Sequence, residues 1–171
     1  MASARIGLTF NQYADSLLLI ARLIAYLEAR REAPILLVGE APGYRGARVS
    51  GIPFTSERQL TGEGPAEATA TVVHRVLAEL GLEEHTLLWN VVPTHPGTAS
   101  LNRRPMREEI EASAPFLAAL TPGRCVISVG RLAQARLGEP AVRHPAHGGA
   151  RAFRDGLVEL VDRGDLGPDP A

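Results

Sequence analysis

The sequence predicts an α/β fold, a parallel sheet with helices on both faces. Three observations predict it. Short apolar runs alternate with longer amphipathic stretches along the chain. The runs "ILLVG", "TLLWNVVP" and "RCVISVG" are nearly continuous in apolar residues, as strands buried on both faces are. Polar, Gly- and Pro-rich loops gather after these runs, at the sheet edge where ligands bind in such folds.

The elements follow in order. Residues 11–31 place Leu17, Leu18, Ile20, Leu23, Ile24 and Leu27 at helical spacing, and Pro34 stops that helix. "ILLVG" at 35–39 is the first strand. Residues 40–64, rich in Gly and Arg, read as one long loop, a length that is usually functional in a compact domain. Residues 65–81 form a helix with Pro65 in its first turn and Gly81 past its end. "TLLWNVVP" at 86–93 is the second strand, and a loop then leads to a helix over 105–120. The third strand is 124–130, "RLAQARLG" is a short helix, and "PAVRHP" at 140–145 is a short fourth strand. A last helix covers about 149–162, and about 163–171 is a polar tail expected to fray. With 171 residues and no repeat, the expectation is a single domain over 1–171.

Composition narrows the chemistry. All 18 basic residues are arginine, so no lysine amine can form a Schiff base. Arginine forks suit phosphate, although the net charge of −1 announces no nucleic-acid partner. The single Cys125 excludes an intrachain disulfide and a multi-cysteine metal site, and no metal is expected. The start lacks a signal-peptide plan, and the apolar runs are too short for a bilayer, so a cytoplasmic protein is expected.

Chemistry-bearing residues stand at the strand exits. Glu40 follows the first strand, with Gly39 before it and Ala41, Pro42 and Gly43 behind it. A glycine turn there can aim backbone amides at an anion. Phe54, in the polar "SGIPF", could stack on a planar ligand or pin its own loop. Asn90 ends "LLWN" with an amide that matches an imide edge, while Trp89 points to the opposite face and reads as core. His144 ends the fourth strand and, as a neutral imidazole, can donate to a developing oxyanion. His147 and Arg151 in "HGGAR" open the last helix, where phosphate binds. "NRRPMRE" brings Arg103, Arg104 and Arg107 to flank a groove, whereas His74, His85 and His95 read as structural.

The pieces "GEAPG", "GIPF", "NVVPTHPG…NRRP", "CVISVG" and "HPA", over about 35–146, resemble the uracil-DNA glycosylase superfamily. The resemblance is nearest its family-four and family-five branches. It implies a three-layer α/β/α sandwich around a four-stranded parallel sheet. It also implies a monofunctional DNA glycosylase of base excision repair, acting on uracil or another deaminated base flipped out of DNA. The iron–sulfur branch has cluster cysteines where this chain has Thr94 and Ser113, so no cluster and no other cofactor are expected. Ala146 replaces the usual serine of the last motif, and Ala41 stands where family-one enzymes carry a water-activating Asp.

By this resemblance Phe54 stacks on the base, Asn90 reads its edge, and Gly39 and Ala41 line the base site. His144 stabilises the departing base. Glu40, or as second choice Glu57, serves the sugar cation or the water. Gly43, Tyr44, Arg48, His147 and Arg151 are expected to contact DNA, and a monomer is expected. Two other classes fit single features. A DNA- or nucleotide-binding protein without turnover fits Ala41 and Ala146. A small-molecule phosphate enzyme fits the "EAPG" turn alone.

Overall fold

A computed structural model describes residues 1–166. In chain order the elements are α1 (Leu17–Ala29), β1 (Ile35–Gly39), α2 (Ala47–Ser50), α3 (Glu57–Thr61), α4 (Ala68–Glu79), β2 (Thr86–Asn90), α5 (Arg107–Ala118), β3 (Cys125–Val129), α6 (Arg131–Leu137), β4 (Ala141–Val142) and α7 (Ala150–Asp162). The four strands form one sheet in the order β2-β1-β3-β4, and every pairing is parallel.

The pleat of β1 divides the core into two layers. Ile35 and Leu37 pack with Val73, Val76 and Leu77 of α4 and Phe153, Leu157 and Leu160 of α7. Leu36 and Val38 face the other way, with Leu23 of α1, Leu117 of α5 and Ala133 of α6. A strand sandwiched between two helical layers has no solvated face, which is why its sequence is continuously apolar. Trp89 joins the second layer as expected. Leu88 belongs to the first layer, so the pleat also sends Asn90 to that side.

Several boundaries differ from expectation. The first helix begins at Leu17 because the Ser16 hydroxyl caps it, accepting from the Leu19 amide at 3.3 Å. Residues before it strap the molecule instead. Tyr13 donates its hydroxyl to the Gly51 carbonyl at 2.8 Å, Gln12 donates to Pro93 at 3.0 Å, and the Phe10 amide donates to His95 at 2.9 Å. The loop after β1 contains two short helices, ended by Gly51 and Gly62 in left-handed conformation. A capping signal for the second was present in "SERQ": the Gln59 carbonyl accepts from the Ser56 amide at 2.8 Å. The fourth strand keeps only Ala141 and Val142.

Residues 163–166 of the expected tail contact the fold. Leu166 is buried in the first core layer, and the Asp165 amide donates to the Leu160 carbonyl at 3.0 Å. The remainder of that tail, 167–171, lies outside the described residues. Among the described residues no helix is long and apolar enough to cross a membrane.

One buried ion pair fixes the loop before α5. Glu109 is fully buried and takes both nitrogens of Arg103, at 2.8 and 2.5 Å, with the Met106 amide at 2.8 Å. Hydrogen bonding from Arg103 holds its pKa below the ordinary carboxylate value, against the effect of burial. Removing the cation leaves a buried charge uncompensated, so Arg103→Ala should destabilise the protein by about 3 kcal/mol in chemical denaturation. Because the folded-state pKa is lowered, this stabilisation is complete above the unfolded value of about 4.3 and is lost as pH falls through the lower folded value. Acid titration of the wild type and the variant checks that sign, since the difference between them should shrink below about pH 4.

Candidate active site

The carboxyl ends of the strands open into a cleft of about 780 Å³ with a narrow inner recess. The strand order explains its place. The chain leaves β1 toward β2 on one side and leaves β3 toward β4 on the other, so a crevice forms between the ends of β1 and β3. Glu40, Ala41, Pro42 and Gly43 follow β1, Gly130 and Arg131 follow β3, and Arg143 and His144 follow β4; all line the cleft.

The inner recess brings together Glu40, Ala41, Phe54, Asn90 and His144. Gly39 and Asn90 are partners in the β1–β2 register, which places the two strand ends side by side. The Phe54 ring lies over Gly39. A Cβ at Gly39 would overlap the end of that ring, approach Phe54 Cε2 to 2.8 Å and stand 3.0 Å from Asn90 Oδ1. Only glycine leaves room for both groups. Phe54 itself has a φ of 53°, a left-handed conformation that is costly for an aromatic residue. Its neighbours hold it there. The Ser50 hydroxyl donates to the Thr55 carbonyl at 2.6 Å, and the Thr55 hydroxyl meets His74 Nε2 at 3.0 Å. Phe54 therefore both pins its loop and walls the recess.

His144 has a defined tautomer. Its Nδ1 accepts the Ala146 amide at 3.1 Å, so the neutral ring carries its proton on Nε2. Burial, with the charges of His147 and Arg143 adding to it, lowers its pKa from the ordinary histidine value. The neutral donor form is favoured. Glu40 is half-buried, and burial raises its pKa while Arg104 opposes the rise. Arg103, Arg104, Arg131 and Arg143 line the cleft. This local positive rim is hidden in a net charge of −1.

Other expected residues are distributed unevenly. Gly43 and His147 line the cleft, the latter with a φ of 52°. Tyr44, Arg48 and Arg151 do not line it. The Tyr44 amide donates to Asn102 Oδ1 at 2.8 Å, the Arg48 guanidinium sits 4.8 Å from the Phe10 ring centroid, and Arg151 pairs with Asp155 at 3.5 Å on exposed helix surface. Arg107 likewise pairs outward, with Glu111 at 2.7 Å. Glu57 is not brought to the site: both of its oxygens are held by Arg22 of α1, at 2.8 and 2.9 Å. The structural reading of His95 agrees with its placement. It is buried with its ring nitrogens 2.8 Å from the carbonyls of Pro42 and Thr98, joining two site loops.

Glu67, which sequence reasoning passed over, lines both the cleft and the recess. It precedes α4, and its carboxylate lies against the turn after β1. In sequence it looks like any acidic residue at a helix start, where the dipole favours one.

The Gly39 contact generates a direct test. Gly39→Ala should displace the Phe54 ring and destabilise the fold by about 1–3 kcal/mol, as overpacking does. Denaturant titration reads the loss, and the crystal structure of the variant reads the ring position.

Comparison with known proteins bears on the fold and the family. No curated protein matches the chain. Among solved structures, wild-type SMUG2 of Pedobacter heparinus superposes with a TM-score of 0.68, over 90% of this chain and 86% of that one, at 15% identity. That likeness is one of fold. The sequence pattern of the family described as "Uracil DNA glycosylase superfamily" matches residues 27–160. With that pattern spanning most of its length, the chain belongs to the uracil DNA glycosylase superfamily.

Proposed function

We propose that the protein is a monofunctional DNA glycosylase that hydrolyses the N-glycosidic bond of uracil or another deaminated base, leaving an abasic site. The observation that carries this reading is the convergence of Glu40, Phe54, Asn90 and His144 on one recess at the ends of parallel strands. Base removal needs those four functions in one place. An aromatic face holds the base that has left the stack. An amide recognises its edge. A donor stabilises the electron pair that stays with the base when the C1′–N bond breaks. A carboxylate stabilises the oxocarbenium-like sugar and accepts a proton from the water that adds to C1′. His144 Nε2–H and Glu40 supply the last two. The cationic rim suits the phosphates flanking a flipped nucleotide. With no lysine, the strand stays intact after base loss.

A second reading, a protein that binds DNA or nucleotides without turnover, is favoured by Ala41 and by an inner recess of only about 30 Å³. Oligonucleotides containing uracil, hypoxanthine or xanthine, treated with alkali after incubation, distinguish the two. Strand breaks support the glycosylase. Binding without breaks on any base supports the alternative.

Asn90→Ala and His144→Ala should each lower the single-turnover rate about 100-fold with folding intact, and Glu40→Gln should do likewise. Glu57→Gln should leave the rate unchanged and weaken only the tie to α1. The rate should fall on acidification as the Glu40 carboxylate gains a proton, with an inflection above the ordinary carboxylate value because burial raises its pKa. A pH–rate profile measured against Glu40→Gln checks that inflection.

A further inference from the structure

Both ring nitrogens of His95 face carbonyl oxygens. Nδ1 lies 2.8 Å from the Pro42 oxygen, and Nε2 lies 2.8 Å from the Thr98 oxygen. The residue is fully buried. Its backbone is locked as well: the His95 amide donates to the Phe10 carbonyl at 3.0 Å, and the Phe10 amide donates back at 2.9 Å. Gly97 makes room for the ring. A Cβ there would stand 2.8 Å from Nε2 and overlap the Leu101 carbonyl oxygen.

A carbonyl oxygen only accepts. A neutral imidazole donates from one nitrogen and presents a lone pair at the other. Facing a carbonyl oxygen at 2.8 Å, that lone pair is repelled. Two donations at this distance need a proton on each nitrogen, which is the imidazolium form. His144 is the contrast: its Nδ1 meets an amide donor, which fits the neutral ring. Hydrogen bonds from a charged donor are roughly twice as strong as neutral ones, and this offsets the desolvation of the ring. The charged groups on the surrounding elements are Glu40 and Arg45 in the turn after β1, Arg48 of α2 over the Phe10 ring, Arg103 and Arg104 in the loop before α5, and Glu109 of α5. The strap over residues 8–13 carries none. Among the described residues the ring bonds to the two carbonyls and to none of these groups.

We propose that His95 is a positioning residue of the cleft, a buried imidazolium that clamps the turn after β1 to the loop before α5 and releases that loop when it loses a proton. The turn carries Glu40 and Gly43 to the cleft, and the loop carries Asn102, Arg103 and Arg104. The clamp therefore sets the spacing of two cleft walls. The inference goes beyond the glycosylase reading and does not need it. The order of release follows from burial. Pro42 is buried, and its carbonyl would be left without a partner, whereas Thr98 is exposed and its carbonyl can turn to water. The remaining proton stays on Nδ1, and the Nε2 arm opens. The loop moves as a unit, because the Arg103 amide donates to Pro96 at 3.0 Å and the Thr98 amide to Leu101 at 2.9 Å. Among the described residues its other hydrogen bond to the turn runs from the Tyr44 amide to Asn102 Oδ1.

The test is NMR of the full chain with isotope-labelled histidine ring nitrogens, read over about pH 5–8, where histidine ordinarily changes charge. At the acidic end both nitrogens of His95 should carry protons. As the pH rises, Nε2 should lose its proton while Nδ1 keeps it. The backbone amide resonances of residues 97–104 should shift with the same midpoint, and their protection from hydrogen exchange should fall. In His95→Gln a single amide nitrogen cannot reach both carbonyls, so that pH-dependent shift should be absent. A His95 ring with one bare nitrogen at the acidic end overturns the proposal, and so does a ring that keeps both protons throughout. Loss of the Nε2 proton with residues 97–104 unmoved overturns it too, as does an unchanged loop response in His95→Gln. Should His95→Gln fail to fold, the wild-type spectra alone decide between these outcomes.

Discussion

The site depends on one missing methyl group. At the carboxyl end of β1 the backbone of Gly39 lies bare, and the Phe54 ring and Asn90 Oδ1 both occupy the space that a side chain would take. The β1–β2 register sets Asn90 beside that gap, and the left-handed turn at Phe54 swings the ring over it. Each partner stands on a different kind of support. Asn90 is fixed by the sheet ladder. Phe54 is fixed by a hydroxyl and a histidine behind the loop, so its strained backbone is stabilised by side-chain hydrogen bonds rather than by strand pairing.

Around this contact the protein places groups in deliberately different electrostatic settings. Glu109 is ionised because two guanidinium nitrogens and backbone amides surround it. His144 is neutral because it is buried and close to positive charge. Glu40 and Glu67 share the cleft, but only the first has a cation to oppose its desolvation. One fold edge thus offers a donor imidazole and two differently placed carboxyl groups within a single crevice. Environment, more than residue type, moves their pKa values in different directions.

Much of this was legible in the sequence, for physical reasons that can be named. Strands buried on both faces must be apolar throughout, so the three long runs were visible and their polar ends, Glu40 and Asn90, stood out. Period-two alternation sends Trp89 to the core and turns Asn90 toward the recess. What was not legible depended on chain return. The Arg22–Glu57 pair joins residues 35 positions apart and leaves no local trace, so Glu57 looked available for chemistry. Glu67 was hidden for the converse reason: its helix-start position has an ordinary local explanation, and only folding presses it against Gly43 and Gly46. Arg48 and Arg151 read as phosphate ligands by residue type, yet an aromatic ring and a helical neighbour engage them.

The segment before α1 has a meaning beyond fastening. The family pattern begins at residue 27, yet Phe10, Gln12 and Tyr13 grip the backbone at His95, Pro93 and Gly51, the loops that carry the walls of the recess. Rigidity of the recess is therefore governed in part from outside the shared pattern. Substitutions among Phe10, Gln12 and Tyr13 can thus loosen or tighten those loops without changing any group that lines the recess.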